Sequence, residues 1–169
     1  MKTAKYIAAV GLLFAKTVDA DSIQIDELNV EFGSREHKNC KFVGSPIDFC
    51  SPKFTAAYRE ALDNRDADFN HDMILLALDS RLEYMQQTLV AISPLHRTIY
   101  PFPFDFFSSS FSATKKKAKG TLVYSLRSNS VCIKGAILAY RSVQDGQLCW
   151  RFIDQQFSGE ITPYTYPEH

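Results

Sequence analysis

Apolar positions change their spacing several times along this chain. From Ser22 to Phe32 they alternate with polar ones, slip once at Asp26-Glu27, and resume at Leu28, Val30 and Phe32. Alternation predicts a strand, and the slip predicts a bulge within it. A helix built on Ile25, Leu28 and Phe32 competes with that reading. Gly33-Ser34 ends the segment, and a polar loop follows through "SREHKNC". Ser51-Pro52 then opens a helix, because Ser can cap the first free N–H groups and Pro is tolerated in the first turn. Phe54, Ala57, Tyr58, Ala61 and Leu62 share one face of it, and "DNRDAD" breaks it. Asn70 can cap a second helix, with Asp72 in its first turn. Ile74, Leu78, Leu82, Met85 and Leu89 follow at helical spacing until Ser93-Pro94.

Past residue 120 the period becomes two. "GTLVYSLRS", "NSVCIKGAILAYRS" and "LCWRFIDQQF" read as three strands, and Asp145-Gly146 signals a tight hairpin between the last two. The predicted fold is α+β: a curled antiparallel sheet packed against two helices. The sheet consists of a three-stranded C-terminal meander, with an optional N-terminal strand.

Between the second helix and the meander lies "YPFPFDFFSSSFSATKKKAKG", five phenylalanines and a tyrosine followed by four lysines. Pro101 and Pro103 fix an extended course. A soluble monomer rarely tolerates that much ring surface in water, so the first half is expected to serve as a lid over the sheet. The lysines resist burial, so Ser108–Gly120 is expected to be exposed and mobile. A second reading makes the segment a partner-binding loop with aromatic anchors and a basic rim. Its candidate contacts are Phe106, Phe107, Phe111, Lys115, Lys116, Lys117 and Lys119. A membrane finger is a third reading, disfavoured because no amphipathic helix presents the rings.

Composition adds a compartment. Lys2 and Lys5 precede the apolar run "YIAAVGLLFA", and small residues at Val18 and Ala20 allow a cut before Asp21. That pattern predicts a secretory signal peptide over residues 1–20, leaving a single exported domain over 21–169, periplasmic or secreted. Losing three lysines and one aspartate from nineteen basic and nineteen acidic residues leaves a net charge of −2. Such a balance gives no global attraction to nucleic acid or anionic lipid.

Cys40, Cys50, Cys132 and Cys149 form an even set, which in an exported chain points to disulfides. A turn at Asp145-Gly146 would place Cys149 opposite Ser142, ten residues from Cys132, or about 30 Å away along a strand. The expected pairing therefore joins the Cys40/Cys50 segment to Cys132 or Cys149. The alternative is a Cys40–Cys50 bridge that leaves two thiols.

The closing string "DGQLCWRFID" and the acidic stretch "DADFNHDMILLALDS" give the chain a loose resemblance to small exported domains of the NTF2-like and cystatin-like kind. Such domains include isomerases, hydrolases and pure binding modules, among them bacterial immunity proteins. The resemblance implies a protein-binding module, as in a periplasmic inhibitor or immunity protein that neutralises a toxin or hydrolase. The runner-up is a small enzyme with a cone-shaped pocket, in which His71 or His96 would be oriented by Asp68, Asp72 or Asp79.

No nucleophile elbow, phosphate loop, zinc-protease helix or Cys-x-x-Cys pair occurs. Asp68, Asn70, Asp72 and Asp79 match part of a calcium-loop spacing, but Met73 stands where glycine is needed. No cofactor or metal is therefore expected, and the expected partner is another protein.

Overall fold

The computed structural model describes residues 22–112, 117–139 and 141–159. The signal-peptide reading and candidates Lys115 and Lys116 lie outside these residues. Half of the described residues are strand and 12% are helix, arranged as a curled half-barrel sheet with one helix. The expected two-helix α+β meander is therefore overturned.

The N-terminal alternation forms two strands rather than one bulged strand. β1 (Ser22–Ile25) and β2 (Leu28–Glu31) pair in a hairpin. The slip at Asp26-Glu27 is its two-residue turn, with Asp26 at φ 53°. A small ribbon of β3 (His37–Lys38) and β4 (Lys41–Phe42) follows. Helix α1 (Pro52–Asn64) forms where its amphipathic pattern places it and buries Phe54, Thr55, Tyr58 and Ala61. The Ser51 side chain makes no capping bond. The Thr55 N–H instead donates to the Ser51 carbonyl at 2.9 Å.

The second predicted helix is a strand pair, β5 (Ile74–Arg81) and β6 (Gln86–Ser93), joined by a 3-10 turn at Leu82–Tyr84. The reason is burial on both faces. Ile74, Leu78, Val90 and Ile92 join the core cluster that includes Phe54 and Tyr58 of α1. Leu75, Leu89 and Ala91 join a second cluster that includes Trp150. A strand covered on both sides reads as a continuous apolar run with no period of two, and the run chanced to match helical spacing.

The sheet continues through β7 (Thr98–Pro101), β8 (Phe106–Ser108), β9 (Thr121–Val123), β10 (Ser130–Ala139), β11 (Ser142–Ile153) and β12 (Gln156–Gly159). Its order is β1-β2-β7-β6-β8-β10-β11-β12, with β5 on β6 and β9 on β10. β2 and β7 run parallel, whereas the other pairs are antiparallel.

β10 and β11 turn back on each other between the paired Ala139 and Ser142, with Arg141 at φ 64°, and Asp145-Gly146 sits inside β11. Gly146 faces Gly135, and both adopt positive φ, 134° and 144°. A Cβ on Gly135 would meet the Ser108 carbonyl oxygen at 2.3 Å. The glycines thus serve a bend and a close approach inside a long hairpin rather than its turn.

This register pairs Cys132 with Cys149, and the two are bridged with Cα atoms 4.0 Å apart. Cys40 bridges Cys50, with Cα atoms 5.7 Å apart. The expected link between the two halves of the chain is therefore incorrect. The two disulfides are compatible with export. No helix among the described residues is long and apolar enough to cross a membrane.

The core face of β11 meets rings rather than a second helix. Trp150 packs among Phe102 and Phe104, at ring distances of 6.1 and 5.2 Å. Phe152 is half-buried against Tyr100 and Phe157. Neither rests on Leu82 or Met85, which the sequence placed in a facing helix and which are 61% and 42% exposed.

Candidate interaction surface

Of the aromatic segment, Tyr100, Phe102, Phe104, Phe106 and Phe107 are all buried, the last four at 2% exposure or less. The geometry explains how. β7 ends at Pro101, and the Phe102 N–H donates to the Leu89 carbonyl at 3.0 Å. The Asp105 N–H donates to the Leu138 carbonyl at 2.8 Å, so the strand is stitched to β6 on one side and β10 on the other. Phe106 and Phe107 therefore offer no ring to a partner. Phe111 is partly buried against the α1 cluster.

Lys117 and Lys119 are exposed, and both are anchored. The Lys117 ammonium donates to the Glu83 carbonyl at 3.2 Å and stands 4.5 Å from the centre of the Tyr84 ring. The Lys119 ammonium donates to Asp79 Oδ1 at 2.7 Å, and Gln87 Nε2 donates to the same oxygen at 2.9 Å. The bond from Lys119 is the main reason that the Asp79 carboxyl is held below its ordinary range. These contacts tie the end of the lysine run to the β5–β6 hairpin.

The hairpin end carries what the sequence did not point to. Leu82, Tyr84 and Met85 are large, apolar and exposed within four residues. Met85 closes the turn in the left-handed region, at φ 53°. Helical spacing had assigned Leu82 and Met85 to a core, so no apolar-pattern signal marked them as surface. The adjoining Arg81 guanidinium lies 4.8 Å from the centre of the Phe106 ring.

β5 itself is a sheet edge, and α1 stands beside it. Between them runs a groove of about 280 Å³ with Ala57, Ala61 and Leu76 along its apolar part and Lys53 and Arg65 toward its ends. Three hydrogen bonds fix which backbone groups face outward. The Leu75 N–H donates to Asp68 Oδ1 at 2.8 Å. The Asp79 carbonyl accepts from Lys53 Nζ at 2.5 Å. The Leu89 carbonyl, opposite Ala77, bonds away from β5 to the Phe102 N–H. Alternation then turns the N–H and C=O of Ala77 toward the groove rather than into the ladder.

The candidate catalytic groups do not assemble. His71 and His96 are exposed and do not line the α1–β5 groove, and His37 stacks on Phe32 at 4.5 Å. Asp68 holds the Leu75 N–H, Arg65 at 2.6 Å and the Tyr124 hydroxyl at 3.2 Å, while Asp79 is occupied by Lys119 and Gln87. Those carboxylates act as braces. The buried Asp105 lies 3.7 Å from Arg35, and its carboxyl is pushed up by burial.

Comparison with protein-family models, with curated proteins and with solved structures finds no match to this chain.

Proposed function

We propose that the protein is an exported protein-binding module that engages its partner through the end of the β5–β6 hairpin. The supporting observation is the group Leu82, Tyr84 and Met85, large side chains exposed together within four residues, whereas most of the described phenylalanines are buried. A contiguous apolar patch of this kind is characteristic of an interaction site, and large side chains at its centre supply most of the contact energy. Lys117, which bonds a backbone carbonyl rather than a carboxylate, adds a positive charge on one side and favours an acidic group on the partner there. An inhibitor or immunity protein would be one form of such a module. The element order that suggested it, two helices before three strands, is not the order of this chain.

The test is capture from native extracts by the oxidised chain and by a variant carrying Leu82→Ser, Tyr84→Ser and Met85→Ser. The expected result is a partner held by the parent chain and lost by the variant, with an unchanged melt. Equal capture by both would overturn the hairpin as the site. Retention of both chains on anionic vesicles without any protein partner would replace the reading with a membrane-surface one.

A further inference from the structure

We infer that the α1–β5 groove binds an extended protein segment by strand addition, and that the segment carries an apolar side chain close to an acidic one. The inference rests on the binding-module reading and names the chemistry of what is bound.

Strand addition requires an outward donor and acceptor on an edge strand. Ala77 supplies both, because its N–H and C=O point away from β6. The side-chain site lies between Ala57 and Leu76, where the helix and the strand leave apolar surface uncovered.

Charge sets the acidic requirement. Around the N-terminal end of α1 the groove meets a second hollow of about 230 Å³, and both are lined by Lys53 and Phe54. Arg81 joins Lys53 there. Lys53 bonds a backbone carbonyl and Arg81 lies over a ring, and neither forms a salt bridge among the described residues. Asp48 and Asp79 also line the two hollows, but Asp48 pairs with Lys41 and Asp79 with Lys119, and Glu60 lies about two helical turns beyond Lys53. Lys53 and Arg81 together are therefore complementary to an incoming carboxylate. Its arrival would let Lys53 exchange the Asp79 carbonyl for a charged acceptor, which is the stronger bond.

A second copy of the chain fits less well. Two β5 strands paired antiparallel about Ala77 would each need the Leu75 N–H and the Asp79 carbonyl. Asp68 and Lys53 already cover those groups in both copies. Side chains that cover an edge in this way are a means of blocking edge-to-edge pairing. A short peptide that pairs from Ala77 to Asp79 and ends before Leu75 has only Lys53 to displace, and it gives that lysine a carboxylate.

The experiment is selection from a displayed random dodecapeptide library on the oxidised chain. The selected peptides are then measured on three variants: Ala77→Pro, the double change Lys53→Glu with Arg81→Glu, and the triple serine variant of the hairpin end. Proline at 77 removes an N–H that the ladder does not use, so the sheet should tolerate it. The charge pair is exposed and gives an independent test should that strand fail to fold.

The expected outcome is peptides with an apolar residue beside Asp or Glu. They should bind at least tenfold more weakly to Ala77→Pro and to the charge variant, and equally well to the hairpin-end variant. Peptides without acidic enrichment, peptides indifferent to both groove variants, or no selected peptide would overturn the inference. So would concentration-dependent self-association of the chain alone that Ala77→Pro abolishes. If the natural partner is lost only with the hairpin-end variant while the groove experiments fail, the groove falls and the binding-module reading stands.

Discussion

Tyr100–Phe107 and Leu82–Met85 are both rich in apolar side chains, yet one is buried and the other stands in solvent. The first has proline punctuation and rings crowded together, and that much ring surface makes burial the expectation. It is among the most deeply buried stretches of the chain. The second carries the next members of an apolar repeat that begins with core residues, and it stands in solvent. Pairing decides the difference. Phe102, Asp105 and Phe107 are bonded or paired to β6 and β10, so their rings have a sheet to lie against. Leu82 and Tyr84 sit where β5 turns back into β6, with no strand paired to them among the described residues. Apolarity shows that a residue needs a neighbour, and the sheet register determines whether this chain or another supplies it.

The largest expected effect would test the buried side of this contrast. Phe104 is fully buried against Phe107 and Trp150. Phe104→Ala should therefore lower unfolding stability by about 3–5 kcal/mol in denaturant melts. A loss under about 1 kcal/mol would mean that the aromatic segment is a detachable flap.

Next comes the register that seats the segment. Replacing Cys132 and Cys149 together by serine opens a loop of sequence separation 17 and should cost about 3 kcal/mol. Mapping of the oxidised parent chain should find Cys132 joined to Cys149. A Cys40–Cys132 peptide would instead restore the register with its turn at Asp145-Gly146.

The exposed side should barely respond. Leu82→Ser is expected to change the melt by less than about 0.5 kcal/mol. A large loss would place Leu82 in a core and erase the contrast.

The smallest effect concerns the link between the lysine run and the hairpin. Asp79 has a lowered folded pKa, so its stabilising contribution is present above the unfolded value near 4 and fades as pH falls through the folded one. Both partners are partly exposed, which limits the difference between the parent chain and Lys119→Ala to less than about 1 kcal/mol at pH 7. That difference should vanish near pH 2. If it persists there, the contact is not ionic.

What was legible in the sequence follows the same logic of burial. α1 could be read because one face is wet and the other dry, which imprints a period. β10 could be placed because several positions along it remain partly solvated. β5 and β6 could not, because core on both sides removes the alternation that identifies a strand. Asp145-Gly146 misled for a different reason. A glycine needed for positive φ inside a strand is indistinguishable, in sequence, from one needed in a turn, and the ten-residue slip carried the disulfide assignment with it. Of the candidate surface, the lysines were visible as charge. Ala77 was not, because an outward N–H is a property of pairing and leaves no mark on residue type.

The two bridges join first cysteine to second and third to fourth. Each therefore closes within its own stretch of chain, and neither spans the other. An oxidant meeting the polypeptide N-terminus first could pair the cysteines in order of appearance, with no later exchange needed to reach the native set. Each half carries its own covalent clamp. The chain could consequently be severed between residues 50 and 132 and the two oxidised fragments offered to each other, with reassembly relying on strand pairing alone.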